Sequence, residues 1–294
     1  MRAPDGVPRG RRSTSPLEVS SEKLVAYPFL SASVTGDKKL LAMSRLTDSP
    51  FLMLVLTFMA LWACAWIGAK LLGRYASEGP QAREDFRTVL AACLTLLGLI
   101  VGFSFSMAVN RYEQRQSAES AEADAIGTAY IRADLLPSAE ADTTRQLLRR
   151  YLTERIRFFY TRDRDRFRQV DEQTTRLQQQ MWAAVHAPAV QPNQFTALAV
   201  SGMNDVLSAQ SNTQAAWWNR VPPDVWALMG LIAILCNLMV GVSARHLEGR
   251  SMFFVLPLVT AIAFFLIADI DSPAGGGVIH VMPQNLLGLG RLMH

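Results

Sequence analysis

Residues 88–110 read TVLAACLTLLGLIVGFSFSMAVN, 23 positions without a charged side chain. A bilayer core takes about 20 apolar residues in helical form, so this stretch alone is long enough to cross a membrane. Three further runs share its character. They are FLMLVLTFMALWACAWIGA at 51–69, VWALMGLIAILCNLMVGVSA at 225–244 and SMFFVLPLVTAIAFFLIA at 251–268. Soluble helices are apolar on one stripe and polar on the other. Four helices apolar all round therefore argue for four membrane spans and against a large soluble core. Pro257 removes one backbone hydrogen bond from the fourth run and is expected to kink it.

The average composition hides this clustering. The chain has 294 residues, 50% hydrophobic and 18% charged, with a mean hydropathy of +0.14. A soluble domain carries about 25% charge. Disorder throughout is excluded by the apolar content, and 18 Gly with 14 Pro excludes collagen-like repeats. Cys64, Cys93 and Cys236 are scattered through apolar runs, which is neither a disulfide framework nor a zinc pattern. The charge balance is a mild +4, and 25 of the 29 basic residues are arginine.

The four runs group as two hairpins, the first joined by Lys70–Arg87 and the second by Arg245–Arg250. The expected fold is therefore an all-α integral membrane protein. Its hairpins occupy residues 43–110 and 225–268, with a large helical insertion at 111–224 and a C-terminal tail at 269–294. The insertion holds 14 arginines against 14 carboxylates and no cysteine, and its Ala, Gln, Arg and Glu content favours helices. Residues 1–42 are polar, carry Pro4, Pro8 and Pro16, and lack the apolar core of a signal peptide. They are expected to be disordered, and Met43 is a candidate translation start. Basic residues do not orient the spans. The short loops carry Lys70, Arg74, Arg83, Arg87, Arg245 and Arg250, and the opposite flanks carry Lys38, Lys39, Arg45, Arg111, Arg115 and Arg220.

Within the insertion, residues 111–136 are rich in small side chains and are expected to continue the second span as helix up to Pro137. Ser138 is the expected N-cap of the next helix, with Glu140 in its first turn. Leu148, Leu152, Ile156 and Phe159 then mark one helical face. The run Arg162-Asp163-Arg164-Asp165-Arg166 reads as a solvated helix junction. Helix resumes to about His186, Pro188 and Pro192 break it, and a further helix covers about Phe195–Arg220 before Pro222-Pro223 reset the chain.

No catalytic constellation is present. His186, His246, His280 and His294 are far apart and lack ligand-spaced partners. The glycines Gly275, Gly276 and Gly277 follow a span rather than a strand, so a flexible turn is expected there and no phosphate cradle. Basic residues interleaved with acids give no nucleic-acid footprint. No cofactor, metal or catalytic residue is assigned.

The second span is the most specific part of the chain. Gly98 and Gly102 form G-x-x-x-G, and Ser106 continues the small residues, so this face suits close helix packing. Thr95, Leu99 and Phe103 form an adjacent face. In a ring of identical helices that face would line a narrow apolar neck, and such constrictions gate by dewetting; otherwise these side chains face lipid or core. Asp269 and Asp271 close the fourth span, where ion pairing with Arg111 or Arg132 is expected. Asn237 in the third span is placed to hydrogen-bond across helices.

Residues 96–137, LLGLIVGFSFSMAVNRYEQRQSAESAEADAIGTAYIRADLLP, resemble the bacterial bestrophin-like membrane family. The pattern recurs in RVPPDVWALM at 220–229 and ADIDSPAGGGVIHV at 268–281, and the resemblance covers Met43–Leu292. More distantly the chain is similar to bestrophins, pentameric ion channels with four membrane helices per subunit and a neck formed by the second. That resemblance implies a neck at Phe103, Leu99 and Thr95, with Arg111 beyond it; Thr95 departs from the apolar pattern. The carboxylate run that clasps calcium in animal bestrophins is reduced here to Asp269 and Asp271. The resemblance also implies cytoplasmic termini, a cytoplasmic 111–224 region and a bacterial inner-membrane location. The leading expectation is thus a homo-oligomeric channel for inorganic ions, with anions as candidate cargo. The alternative is a non-conducting membrane scaffold whose polar helices bind a partner protein.

Overall fold

The computed structural model describes residues 50–70, 80–186, 193–244, 252–273 and 277–293. The expectations for residues 1–42, for the Pro188 and Pro192 break and for Gly275 and Gly276 lie outside them, as do His246 and His294. Among the described residues the regular structure is helical throughout. The elements are α1 (Pro50–Lys70), α2 (Pro80–Arg132), a 3-10 turn (Ala133–Leu135), α3 (Ser138–Tyr160), α4 (Arg164–His186), α5 (Gln194–Trp218), α6 (Pro223–Ala244), α7 (Met252–Asp271) and α8 (Gln284–Leu292). Among the described residues four helices are long and apolar enough to cross a membrane, and they coincide with the four charge-free runs. α7 continues through Pro257.

α2 is a single helix of 53 residues, about 80 Å at 1.5 Å per residue. It joins two cores. Its first half packs on α6 and α7 around Leu61, Leu97, Ala108, Met229, Ala233, Phe264 and Ile267. Its second half packs on α5 and α8 around Ile126, Leu148, Leu152, Met181, Met203, Val206 and Leu286. The face predicted for α3 is present, with Leu148, Leu152 and Phe159 buried and Ile156 packed against them.

Sequence neighbours are not always packing neighbours. α1 lies chiefly against α6 and α7 rather than against α2. Small residues explain this, because Gly68 faces the Leu238 carbonyl and Gly241 faces the Ala65 carbonyl so closely that a Cβ on either would overlap it. Close backbone approach of this kind stabilises helix pairs in lipid, where apolar transfer no longer does.

Local signals set the helix ends. Pro137, not Ser138, occupies the N-cap of α3 and makes no side-chain cap; its carbonyl accepts Ala141 N–H at 2.8 Å. The fixed φ of proline suits the entry into a helix, so α3 starts one residue earlier than expected. The arginine–aspartate run does form an exposed junction. Asp163 caps α4 by accepting Asp165 N–H at 2.9 Å and Arg166 N–H at 3.0 Å. Those backbone donors, Arg166 first, hold its carboxyl below the usual carboxylate range. Asn193 and Thr196 form a reciprocal capping box at the start of α5.

Candidate functional site

α2 treats its two sides differently. Buried positions recur at helical spacing along one side: Leu97, Ser104, Ala108, Arg115, Glu119, Glu122, Ile126 and Ala129. The opposite side is exposed over the whole helix in steps of three and four residues. It runs Asp85, Thr88, Ala92, Thr95, Leu99, Phe103, Ser106, Asn110, Glu113, Ser117, Ala121, Asp124, Thr128 and Ile131. Leu99 is 53% and Phe103 66% exposed. Among the described residues no helix covers this stripe.

Its chemistry changes along the helix. The centre of the membrane half is apolar at Leu99 and Phe103. The Thr95 hydroxyl donates back to the Ala91 carbonyl at 2.9 Å, which removes its donor from the stripe. Beyond Phe103 the stripe turns small and polar. Its charges are the carboxylates of Asp85, Glu113 and Asp124, and no arginine or lysine lies among its residues. Gly98 and Gly102 flank it, and none of the described residues lies within 4 Å of a Cβ added at either position. Among the described residues the G-x-x-x-G face is therefore unused, and Gly68 and Gly241 make the close helix crossing instead. Ser106 is likewise exposed.

The arginines at the end of the membrane half are committed to internal bonds. Arg111 donates to Asn219 Oδ1 and stands off the stripe. Arg115 is the partner of Asp271, 3.7 Å away and almost fully buried, where Arg111 or Arg132 was expected. Its guanidinium also donates to the carbonyls of Ile270 (3.0 Å), Asp271 (2.8 Å) and Asn219 (3.3 Å). Arg115 lies one helical turn beyond Arg111 on nearly the same face, and the packing of α2 against the end of α7 buries it. Arg132 pairs instead with Asp205 at 3.5 Å. Asp271 further accepts Val221 N–H at 3.0 Å. Asp269 accepts Val278 N–H at 3.0 Å and Ile279 N–H at 2.8 Å, and a Cβ on Gly277 would overlap its carboxylate. Gly277 is thus held against a carboxylate. Both carboxylates are thus engaged by donors of the protein itself. Among the described residues no three metal-binding side chains converge.

Three residues carry roles that the sequence did not single out. Glu119 accepts Leu286 N–H at 2.9 Å and Asn285 Nδ2 at 2.7 Å, capping α8. Glu122 holds Arg155 through two guanidinium nitrogens, Nε and Nη2, the latter at 3.1 Å, with both side chains buried. Their signal was available, because Arg115, Glu119 and Glu122 fall at helical spacing on the alanine-rich side of α2. Beside this pair, burial and then the Glu122 charge push the Tyr151 phenol above its usual range. Asn237 also differs from expectation. Its amide donates to Ala233 O at 2.7 Å within its own helix rather than across to another.

A helical membrane protein with four spans, whose second span runs on into a polar bundle and leaves one side uncovered, is the class these features define. The Bestrophin-like domain model matches residues 55–286, and the chain belongs to the bestrophin-like family. Among solved structures, a bacterial bestrophin homologue from Klebsiella pneumoniae superposes with a TM-score of 0.56 at 14% identity, covering 82% of this chain and 98% of that one. A point variant of that homologue gives a TM-score of 0.59 at 12% identity, covering 83% and 97%. At such identities the likeness concerns the fold. No curated protein matches the chain in sequence.

Proposed function

We propose that the protein is a homo-oligomeric ion channel, with α2 of each subunit lining a central pore. The observation that carries this reading is the uncovered stripe of α2, apolar at Leu99 and Phe103 and polar beyond them. Ringed around an axis, those two positions form a hydrophobic neck that opens by wetting. Gly98 and Gly102 leave room beside the neck for a neighbouring subunit. Family membership supports a ring of five, with both termini and residues 111–224 in the cytoplasm of a bacterium and the spans in its inner membrane. In this arrangement α1–α2 and α6–α7 act as the two membrane hairpins. The stripe weighs for cations over anions, because its charges are carboxylates and Arg111 is held off it by Asn219. No catalytic step is assigned to any residue.

The test is reconstitution of the purified full-length chain in planar bilayers, beside native mass spectrometry for subunit count. Discrete currents are expected from the wild type, and Phe103→Ala or Leu99→Ala should raise open probability or conductance without changing the subunit count. A stable oligomer silent at every pH and voltage would remove the channel reading and leave the scaffold.

A further inference from the structure

The turn between α3 and α4 joins charge, aromatic rings and a defined depth. Phe158 and Phe159 lie 5.0 and 5.2 Å from the Trp217 ring, and Phe167 lies 5.6 Å from Trp218. Trp218 ends α5, and the apolar helix α6 begins at Pro223, five residues later. Arg111, the first charged residue after the apolar run of α2, bonds Asn219 beside these tryptophans. Two spans therefore leave the apolar layer at the level of residues 217–219, and the aromatic contacts put the α3–α4 turn at that same level. Trp and Tyr concentrate at this depth in membrane proteins. Trp218 is 55% and Tyr160 57% exposed.

The turn is basic. Residues 160–168 contain four arginines (162, 164, 166 and 168) against two aspartates (163 and 165), a net charge of +2. The Asp163 carboxylate is turned to the backbone of α4. Arg162, Arg166 and Arg168 are exposed. Guanidinium groups suit phosphate oxygens through paired N–H donors.

We propose that the α3–α4 turn seats in the headgroup layer beside α6 and binds anionic phospholipid, with Arg162, Arg166 and Arg168 on the phosphates and Tyr160 and Trp218 as interfacial anchors. This does not rest on the pore reading, since a non-conducting bundle would seat the turn equally. The bilayer supplies the occupant, because the same chain crosses it a few residues away.

The full-length protein is placed in nanodiscs of neutral phosphatidylcholine, alone or with phosphatidylglycerol, and amide exchange is followed across residues 160–168. Anionic lipid should slow exchange there by roughly tenfold at low salt and leave 140–150 unchanged, and 0.5 M salt should erase the difference. Native mass spectra should show phosphatidylglycerol retained on the wild type and on the distant control Arg149→Gln, and lost from R162Q/R166Q/R168Q. Equal exchange in the two lipids, or retention by the triple variant, overturns the proposal. So does equal protection by inorganic phosphate in lipid-free detergent, which would make the turn a phosphate site. The salt arm uses wild-type protein only, so a triple variant that fails to fold does not spare the idea.

Discussion

The two sides of α2 carry similar numbers of charged groups and use them in opposite ways. On the packed side Arg115, Glu119 and Glu122 are buried, and each bonds a partner from another element: Asp271 and the end of α7, the start of α8, and Arg155 of α3. On the open side Asp85, Glu113 and Asp124 face outward with only small polar or apolar neighbours along the stripe. Burial makes the first set structural, because a charge out of water survives only when paired and hydrogen-bonded. Exposure leaves the second set with no such structural demand. One helix therefore holds the chain together with one face and leaves the other uncovered by the described residues.

The sharpest way to break this contrast is to unpair a buried charge. Arg155→Ala strands Glu122 in the core and should cost about 3–5 kcal/mol, read as a large fall in thermal midpoint in detergent. Replacing both partners, E122M/R155M, should recover most of that loss. A single variant as stable as wild type would show the pair to be solvated and the packed face loosely closed.

Glycines sharpen it next. Gly241→Leu must push α6 off Ala65 and should destabilise the subunit by roughly 1–3 kcal/mol or more. Gly98→Leu and Gly102→Leu meet open space in the subunit and should leave its helicity unchanged while altering subunit count or conductance. Loss of the fold in the Gly98 variant would place that glycine in the packed face after all. On the open stripe, Phe103→Ala should shift stability by no more than about 0.5 kcal/mol, as for an exposed side chain, while its current changes. The smallest effect belongs to Asp163. Its folded carboxyl titrates below its unfolded value, so its contribution is complete above about pH 4 and disappears as pH falls through the folded value. Asp163→Ala should therefore lower the midpoint slightly at pH 7 and leave it unaltered at the acid end of the titration.

The layout of spans was readable because a charge-free run of 18–23 residues has no polar face to turn toward water. The continuation of α2 to Arg132 was readable from small side chains running up to Pro137. The choice of partners was not. Helical spacing puts Arg111 and Arg115 one turn apart, and only the rotation of α2 against α7 decides that Arg115 meets Asp271. The pair of glycines at 98 and 102 announced a close-packing face but not whose, and the crossing inside the subunit fell to Gly68 and Gly241, which carry no G-x-x-x-G motif. α8 was hidden because a nine-residue helix containing Gly288 and Gly290 has weak intrinsic propensity. It is held by a distant carboxylate, Glu119, and by burial of Leu286. For the stripe, Leu99 and Phe103 were evident from spacing, whereas its run through Asn110, Ser117 and Thr128 became visible only once the covered face was known.

The unbroken α2 also has a mechanical consequence. A rod clamped near Arg115 is a lever with two arms, one reaching Phe103 about 18 Å away and the other reaching Arg132 about 25 Å away at 1.5 Å per residue. A tilt of roughly 5° about that clamp swings Phe103 sideways by about 1.6 Å on this geometry. Displacement at the far end of the polar bundle is then felt at the level of Leu99 and Phe103 with its direction reversed, and no joint is needed between the two.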